Sequence, residues 1–271
     1  MENLDASIRI LDNQTPVVIL IGPPESGKTM LMLRMARFLE SKGMTVVPDC
    51  NLRSHEDETY IRLCNIFRSI EYSVSHQGAA YIDLMLIKVM DSHGATVLQI
   101  IEIPGYELTN EHQGPYRDIW FEQINTISNN KTWVFFLEQG WGQDQKDRDV
   151  YARNLCDIRS IVSAKDSFVY LFNKVDRECS LYDRYGRPCK ALFFKQIMLQ
   201  YPEVFKGLTK NNVTYVCFSS GVFHRNKEGM EFWTCGYDWY CSELWNAITN
   251  RKSIIGKFIS FLKNKNHLGY K

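Results

Sequence analysis

Net charge, long apolar runs and paired cysteines are what this sequence has least of. Lys and Arg number 32 against 31 Asp and Glu, a net charge of +1. No global field therefore steers the chain toward nucleic acid. No apolar run approaches the roughly 20 residues of a membrane-spanning helix. The opening stretch, MENLDASIRILDNQ, is acidic and polar and does not read as a secretory signal. The eight cysteines (Cys50, Cys64, Cys156, Cys179, Cys189, Cys217, Cys235 and Cys241) stand singly, with no C-x-x-C. Most are expected as small buried apolar residues in a reducing, cytoplasmic setting. Cys235, Cys241 and His224 fall near one another but match no standard metal spacing. Internal repeats and low-complexity tracts are absent too. What remains is a chain of 271 residues, 45% apolar, enough for the core of a single α/β domain with insertions.

One stretch organises the rest: VVILIGPPESGKTMLMLRM, residues 17–35. Its first five residues form a short, β-branched apolar run, the pattern of a buried strand. Gly22-Pro23-Pro24-Glu25-Ser26-Gly27-Lys28-Thr29 then fits G-x-x-x-x-G-K-[ST], and apolar residues at helical spacing follow. Strand, glycine loop, helix is the context of a phosphate-binding loop. Gly22 and Gly27 permit backbone shapes that a Cβ forbids. The N–H groups from Glu25 through Met30 then point at one anion at a helix N-terminus. Lys28 would reach the β- and γ-phosphates, and the Thr29 hydroxyl would take Mg²⁺.

Further strands are expected near 81–90, 96–103, 132–137, 168–172 and 213–218, with a short one at 46–47. Helices are expected at 28–42, from Ser54 as cap to about 72, and at 118–128, 150–162, 191–205 and 242–262. Residues 221–240 read as irregular and aromatic. Strands alternating with helices imply a mostly parallel sheet covered on both faces. The expectation is a three-layer α/β sandwich: six strands, the 81–90 strand antiparallel at one edge. A single domain would span 1–271, with insertions at about 44–80 and 222–240 and a basic C-terminal helix. Ligands in such sheets sit outside the carboxyl ends of the strands.

Three more stretches follow the phosphate loop in a telling order. The apolar run 168–172 ends in Asn173-Lys174-Val175-Asp176. A carboxylate there can accept hydrogen bonds from guanine N1–H and its exocyclic amine, a pair adenine does not offer. The strand 97–103 ends in Glu102-Ile103-Pro104-Gly105, and the strand 213–218 runs into Ser219-Ser220-Gly221. This series resembles the Ras-like, TRAFAC-class P-loop GTPases. The Pro-Gly after the strand is also similar to the bacterial double-GTPase-type families. The resemblance implies that Asp176 reads guanine, with Lys174 along the base and Asn173 bracing the loop. It implies that Ser219 or Ser220 meets the guanine carbonyl, that Gly105 bonds the γ-phosphate, and that Glu102 stands in the metal-holding aspartate's place. Cofactors and substrate would be Mg²⁺ and GTP, with GDP as product.

The pattern departs from the family in two places. Tyr106 stands where a water-orienting glutamine is common, so hydrolysis is expected to be slow or to draw on His112 or Gln113. The switch-one threonine that would cap the metal is open between Thr59 and Thr45, with Thr59 preferred. A slow GTPase switch is the leading reading. A non-hydrolysing pseudo-GTPase scaffold and an ATP-using P-loop enzyme are its rivals. A protein effector or regulator is the expected partner. Arg251, Lys252, Lys257, Lys263 and Lys265 flank apolar residues in the tail, a terminal packing helix or, less favoured, a membrane-surface element. The aromatic run from Phe232 to Tyr240 is either a partner patch or a cap on the core.

Overall fold

A computed structural model of the chain describes residues 14–52, 57–69, 85–105, 117–138, 145–163, 165–206, 213–225 and 231–249. At its centre is β1 (Val17–Ile21), whose five side chains are at most 1% exposed. Burial of successive residues, which point to opposite faces, means both faces of the sheet are covered. Parallel neighbours flank it: β4 (Thr96–Glu102) on one side, β5 (Lys131–Glu138) on the other. Beyond β5 come β6 (Ser167–Asn173) and β7 (Val213–Cys217), both parallel. Beyond β4 come β3 (Met85–Met90) and β2 (Thr45–Pro48). The order is β2-β3-β4-β1-β5-β6-β7. Because β3 is antiparallel to both of its neighbours, it alone runs against the rest.

The fold class is the one the sequence implies, but the sheet has seven strands and β3 lies one in from the edge. The difference is β2. Helix α1 (Lys28–Glu40) exits through Gly43 at φ +81, and Met44 N–H bonds Leu39 C=O at 3.1 Å. That sharp left-handed exit returns the chain along β3, where Val46 faces Val89. A two-valine run shows no period, so its sequence pattern was weak. The β3–β4 hairpin forms as expected: Asp91 Oδ1 accepts from His93 and Ala95 N–H at 2.9 and 3.0 Å, and Gly94 takes φ +79.

Several helix boundaries move for legible reasons. Helix α2 (Glu58–Ser69) starts after Asp57, whose Oδ1 accepts the Tyr60 N–H at 2.9 Å. Asp57 is thus its cap; Ser54 lies outside the described residues. The single helix expected over 191–205 is two, α5 (Lys190–Gln200) and α6 (Pro202–Phe205), because Pro202 cannot continue a helix that precedes it. Helices α3 (Arg117–Thr126) and α4 (Gln145–Ile161) stand near their expected places. The segment read as irregular is ordered: β8 (Gly221–Arg225) pairs antiparallel with β9 (Glu231–Cys235), and α7 (Asp238–Ile248) begins four residues before the expected 242. Helix α7 packs on α1 and β7. No helix among the described residues is long and apolar enough to cross a membrane. The basic tail beyond residue 249 lies outside them.

Candidate nucleotide site

The loop between β1 and α1 is curled by two left-handed residues, Glu25 at φ 59 and Gly27 at φ 87. A Cβ on Gly22 would fall 2.6 Å from Ser26 Oγ and 2.8 Å from Phe136 Cβ, so only glycine fits there. Gly27 is doubly constrained: its φ strains any side chain, and a Cβ would meet Asn173 Nδ2 at 2.9 Å. Pro23 and Pro24 carry no N–H, so the loop's donors begin at the exposed Glu25 and run on through the buried Ser26. Met30 is half-buried and packs against the core.

Lys28 is 5% exposed and donates to the carbonyls of Gly22 at 2.8 Å and Pro23 at 3.0 Å. Burial pulls its pKa down from 10.5 to about 8, against the opposing pull of Glu102 nearby. Glu102 ends β4 and is itself buried, and burial raises its carboxyl above the usual range despite Lys28 and the Thr29 hydroxyl. The Thr29 hydroxyl lies 3.0 Å from both Oε1 and Oε2 of Glu102. A hydroxyl that gives its proton to a carboxylate keeps its lone pairs. These are hard oxygen donors beside a buried carboxyl group, and they fit a magnesium ion. Gly105 packs directly on the phosphate loop: a Cβ there would lie 2.3 Å from Pro24 N.

The second loop leaves β6. Asn173 is buried and its Nδ2 donates to Ser26 C=O at 2.5 Å. Lys174, left-handed at φ 55, donates to Glu25 C=O at 2.8 Å. A 3-10 turn, Val175–Arg177, then presents Asp176, half-buried; its carbonyl accepts from Cys179 Sγ at 3.4 Å, while its carboxylate has no hydrogen bond or ion pair among the described residues. The third loop leaves β7. Val175 N–H bonds Phe218 C=O at 3.2 Å and so joins it to the second. Ser219 is buried, its Oγ accepting the Gly221 N–H at 3.1 Å. Ser220 C=O accepts from Trp233 Nε1 and from Gly236 N–H, both at 3.1 Å.

The three loops thus meet at the carboxyl ends of β1, β6 and β7, with Glu102 brought alongside from β4. Among the described residues, two atoms deep in this cluster have no hydrogen-bond partner: Ser26 Oγ and Asn173 Oδ1. Neither candidate switch threonine joins them. Thr59 is exposed on the first turn of α2, which packs on β2, and Thr45 is exposed at the start of that same edge strand. Two strands separate β2 from β1. Tyr106, His112 and Gln113 lie outside the described residues. Cys235 and His224 are exposed while Cys241 is buried, and among the described residues no group of His, Cys, Asp or Glu is gathered to hold a metal.

Neither a protein-family model nor a curated protein matches the sequence. Solved structures do. The chain is similar to the signal recognition particle receptor SRb in the SRb-GTP/SRX complex from Chaetomium thermophilum, at 12% identity and TM-score 0.45, over 79% of this chain and 94% of that one. It is similar to the S. cerevisiae Ski7 GTPase-like domain bound to GTP, at 14% identity and TM-score 0.41, over 79% of this chain and 44% of that one. It is also similar to Sup35 complexed with GDP, at 10% identity and TM-score 0.36, over 76% and 37% respectively. The chain covers less than half the length of the last two.

Sequence reasoning missed two contributors. Glu138 ends β5, is buried, and pairs with Lys174 at 2.8 Å and Arg177 at 2.9 Å. Its place at the carboxyl end of a strand beside β1 was the available signal. Arg34, buried on α1, donates to Gly236 C=O at 2.7 Å and pairs with Asp238 at 2.6 Å. Arg37 lies 4.4 Å over the Trp233 ring. Nothing in the sequence marked either arginine. With Tyr240 buried against Phe218, the aromatic segment caps the core.

Proposed function

We propose that the chain binds GTP and GDP with Mg²⁺ and hydrolyses GTP slowly, as a nucleotide-dependent switch in the cytoplasm. One observation carries this reading: the Asn173–Asp176 loop is tied by Asn173 and Lys174 to the carbonyls of Ser26 and Glu25 in the phosphate loop, from the far end of the sequence. A phosphate cradle and a guanine-type edge reader therefore share one cleft, and Asp176 is left with its acceptors unused. An adenine-specific enzyme has no use for a carboxylate in that place.

The geometry supports the following roles. Loop N–H groups and Lys28 hold the phosphates, and the lysine's charge offsets that which develops in the transition state. Lys28 must turn only from two loop carbonyls to do so. Thr29 and Glu102 would hold the metal, which would supply positive charge to offset that of the phosphates. Gly105, packed on Pro24, would report on the γ-phosphate to a protein effector.

The test is a titration of GDP, GTP, ADP and ATP against the purified chain with Mg²⁺. Guanine nucleotides should bind at least tenfold tighter than adenine ones, about what one charge-assisted hydrogen bond supplies. Equal affinity, or no binding, rejects the reading. A second reading, the non-hydrolysing scaffold, is favoured by Tyr106 in the glutamine's place and by Glu102 for aspartate. Analysis of the nucleotide bound before and after incubation separates the two.

A further inference from the structure

Asp176 sits between two cations, Lys174 two residues before it and Arg177 one residue after, yet it pairs with neither. Both are taken by Glu138. This carboxylate ends β5 opposite Asn173 in the β5–β6 register and is 6% exposed. Its Oε2 faces Lys174 Nζ at 2.8 Å and its Oε1 accepts from Arg177 Nη1 at 2.9 Å. The two cations differ in what else holds them. Lys174 also has the Glu25 carbonyl. Arg177 is largely exposed, and Glu138 is its sole side-chain partner among the described residues.

We propose that Glu138 is a specificity-determining residue: by binding Arg177 it keeps that guanidinium off the neighbouring Asp176 and leaves the Asp176 carboxylate free for the base edge. The inference rests on the guanine-binding reading above and extends it to a residue that touches no nucleotide atom. The physical case is competition. A guanidinium is a fork matched to a carboxylate. Released from Glu138 it has a carboxylate one residue away, at a half-exposed site where such a pair forms readily. Each such pair removes acceptors that the guanine amine and N1–H need. A buried anion unpaired at Glu138 would be costly, so two cations shared on it also hold the turn that presents Asp176.

The readout is preference for GDP over inosine diphosphate, which lacks the 2-amino group and so reports on one Asp176 hydrogen bond. Wild type should prefer GDP by about tenfold or more. Glu138→Gln should lose most of that preference, and adding Arg177→Ala to it should restore it, because the competitor is gone. A purely structural Glu138 would give no such rescue. Glu138→Asp, which keeps a buried anion for Lys174 but draws back from Arg177, is the second variant should the glutamine protein not fold, with the same loss and rescue expected. Preference unchanged in the Glu138 variants, or lost without rescue, overturns the proposal while leaving guanine binding intact. Wild type that binds neither diphosphate overturns both.

Discussion

Lys28 offers the sharpest physical test of the phosphate loop, because its charge is buried before any phosphate arrives. Its pKa is lowered from 10.5 to about 8 by burial, with Glu102 opposing. The sign follows from linkage. Between about pH 8 and about pH 10.5 the unfolded chain keeps the lysine proton and the folded chain has released it, so folding stability rises with pH across that window. At 1.36 kcal/mol per pKa unit, the full window is worth about 3 kcal/mol. Below about pH 8 both states are protonated and the penalty is constant.

The perturbation is Lys28→Met, which keeps the stem and removes the charge. Other groups titrate in alkali, notably the buried tyrosines, so the quantity to read is the difference between wild type and variant. Urea unfolding at steps from about pH 7 to about pH 10 should show wild type gaining on the variant by up to about 3 kcal/mol. With saturating GDP the gain should shrink, because phosphate charge raises the lysine's pKa again and holds its proton. A difference that stays flat, or falls as pH rises, would refute the claim that Lys28 is a strained, waiting cation. A variant that binds GDP as wild type does would refute its role altogether.

Asp176→Asn should cost GDP binding more than tenfold, about 1.5–3 kcal/mol for a charge-assisted bond, and should shift preference toward xanthine nucleotides, read by competition binding. Gly27→Ala, facing φ +87 and Asn173 Nδ2 at 2.9 Å, should destabilise the fold by about 1–3 kcal/mol and abolish nucleotide binding by calorimetry. Arg34→Met should cost about 1–3 kcal/mol in urea unfolding, since it strips the Gly236 carbonyl of its donor; an unchanged midpoint would mean α7 and the β8–β9 hairpin do not depend on that link. On the proposed reading, Tyr106→Gln should hydrolyse GTP faster in single turnover from a wild-type rate near 10⁻⁴ to 10⁻² s⁻¹, roughly the unaided range of P-loop GTPases; a fall instead would make the tyrosine a contributor.

Legibility in the sequence tracked how local each cause was. The strand–loop–helix of residues 17–35 was written in consecutive residues, since its strand, glycines and helix start follow one another directly. Asn173 to Asp176 was legible for the same reason, and so was the β3–β4 hairpin with its Asp91 turn. The edge strand β2 was weak, because four residues carry no period and its place depends on where Gly43 turns the chain. The cap of α2 was misplaced because an acidic run offers several oxygens, and only the fold chooses Asp57. Arg34 was invisible because it acts on partners far away, Gly236 and Asp238; Glu138, marked only by its place at a strand end, acts on the equally distant Lys174 and Arg177. A lone charged residue at a strand end or mid-helix is ordinary in a sequence.

The cluster of buried polar groups at one end of the sheet points beyond stability. Ser26, Lys28, Glu102, Glu138, Asn173 and Ser219 are all nine-tenths buried or more, and most stand where β1, β4, β5, β6 and β7 end. Burying a charge is costly unless it is paired, and apolar replacements of equal volume often stabilise. Lys28 is held by dipoles rather than by a bonded carboxylate, and Ser26 Oγ and Asn173 Oδ1 go without partners. At the opposite end, polar groups close on one another: Trp133 Nε1 donates to Asp166 at 2.9 Å and Lys131 Nζ to Ile127 C=O at 2.9 Å. What sets the carboxyl end apart is the kind of group gathered there: a buried cation, spare acceptors and the Asp176 carboxylate. On the proposed reading, an anion with a hydrogen-bonding base at its far end would complete that set in a single molecule, phosphates on Lys28 and base edge on Asp176. An inorganic phosphate alone would satisfy only the first, which is why competition by GDP against phosphate at equal charge should favour GDP by orders of magnitude if the second loop contributes at all.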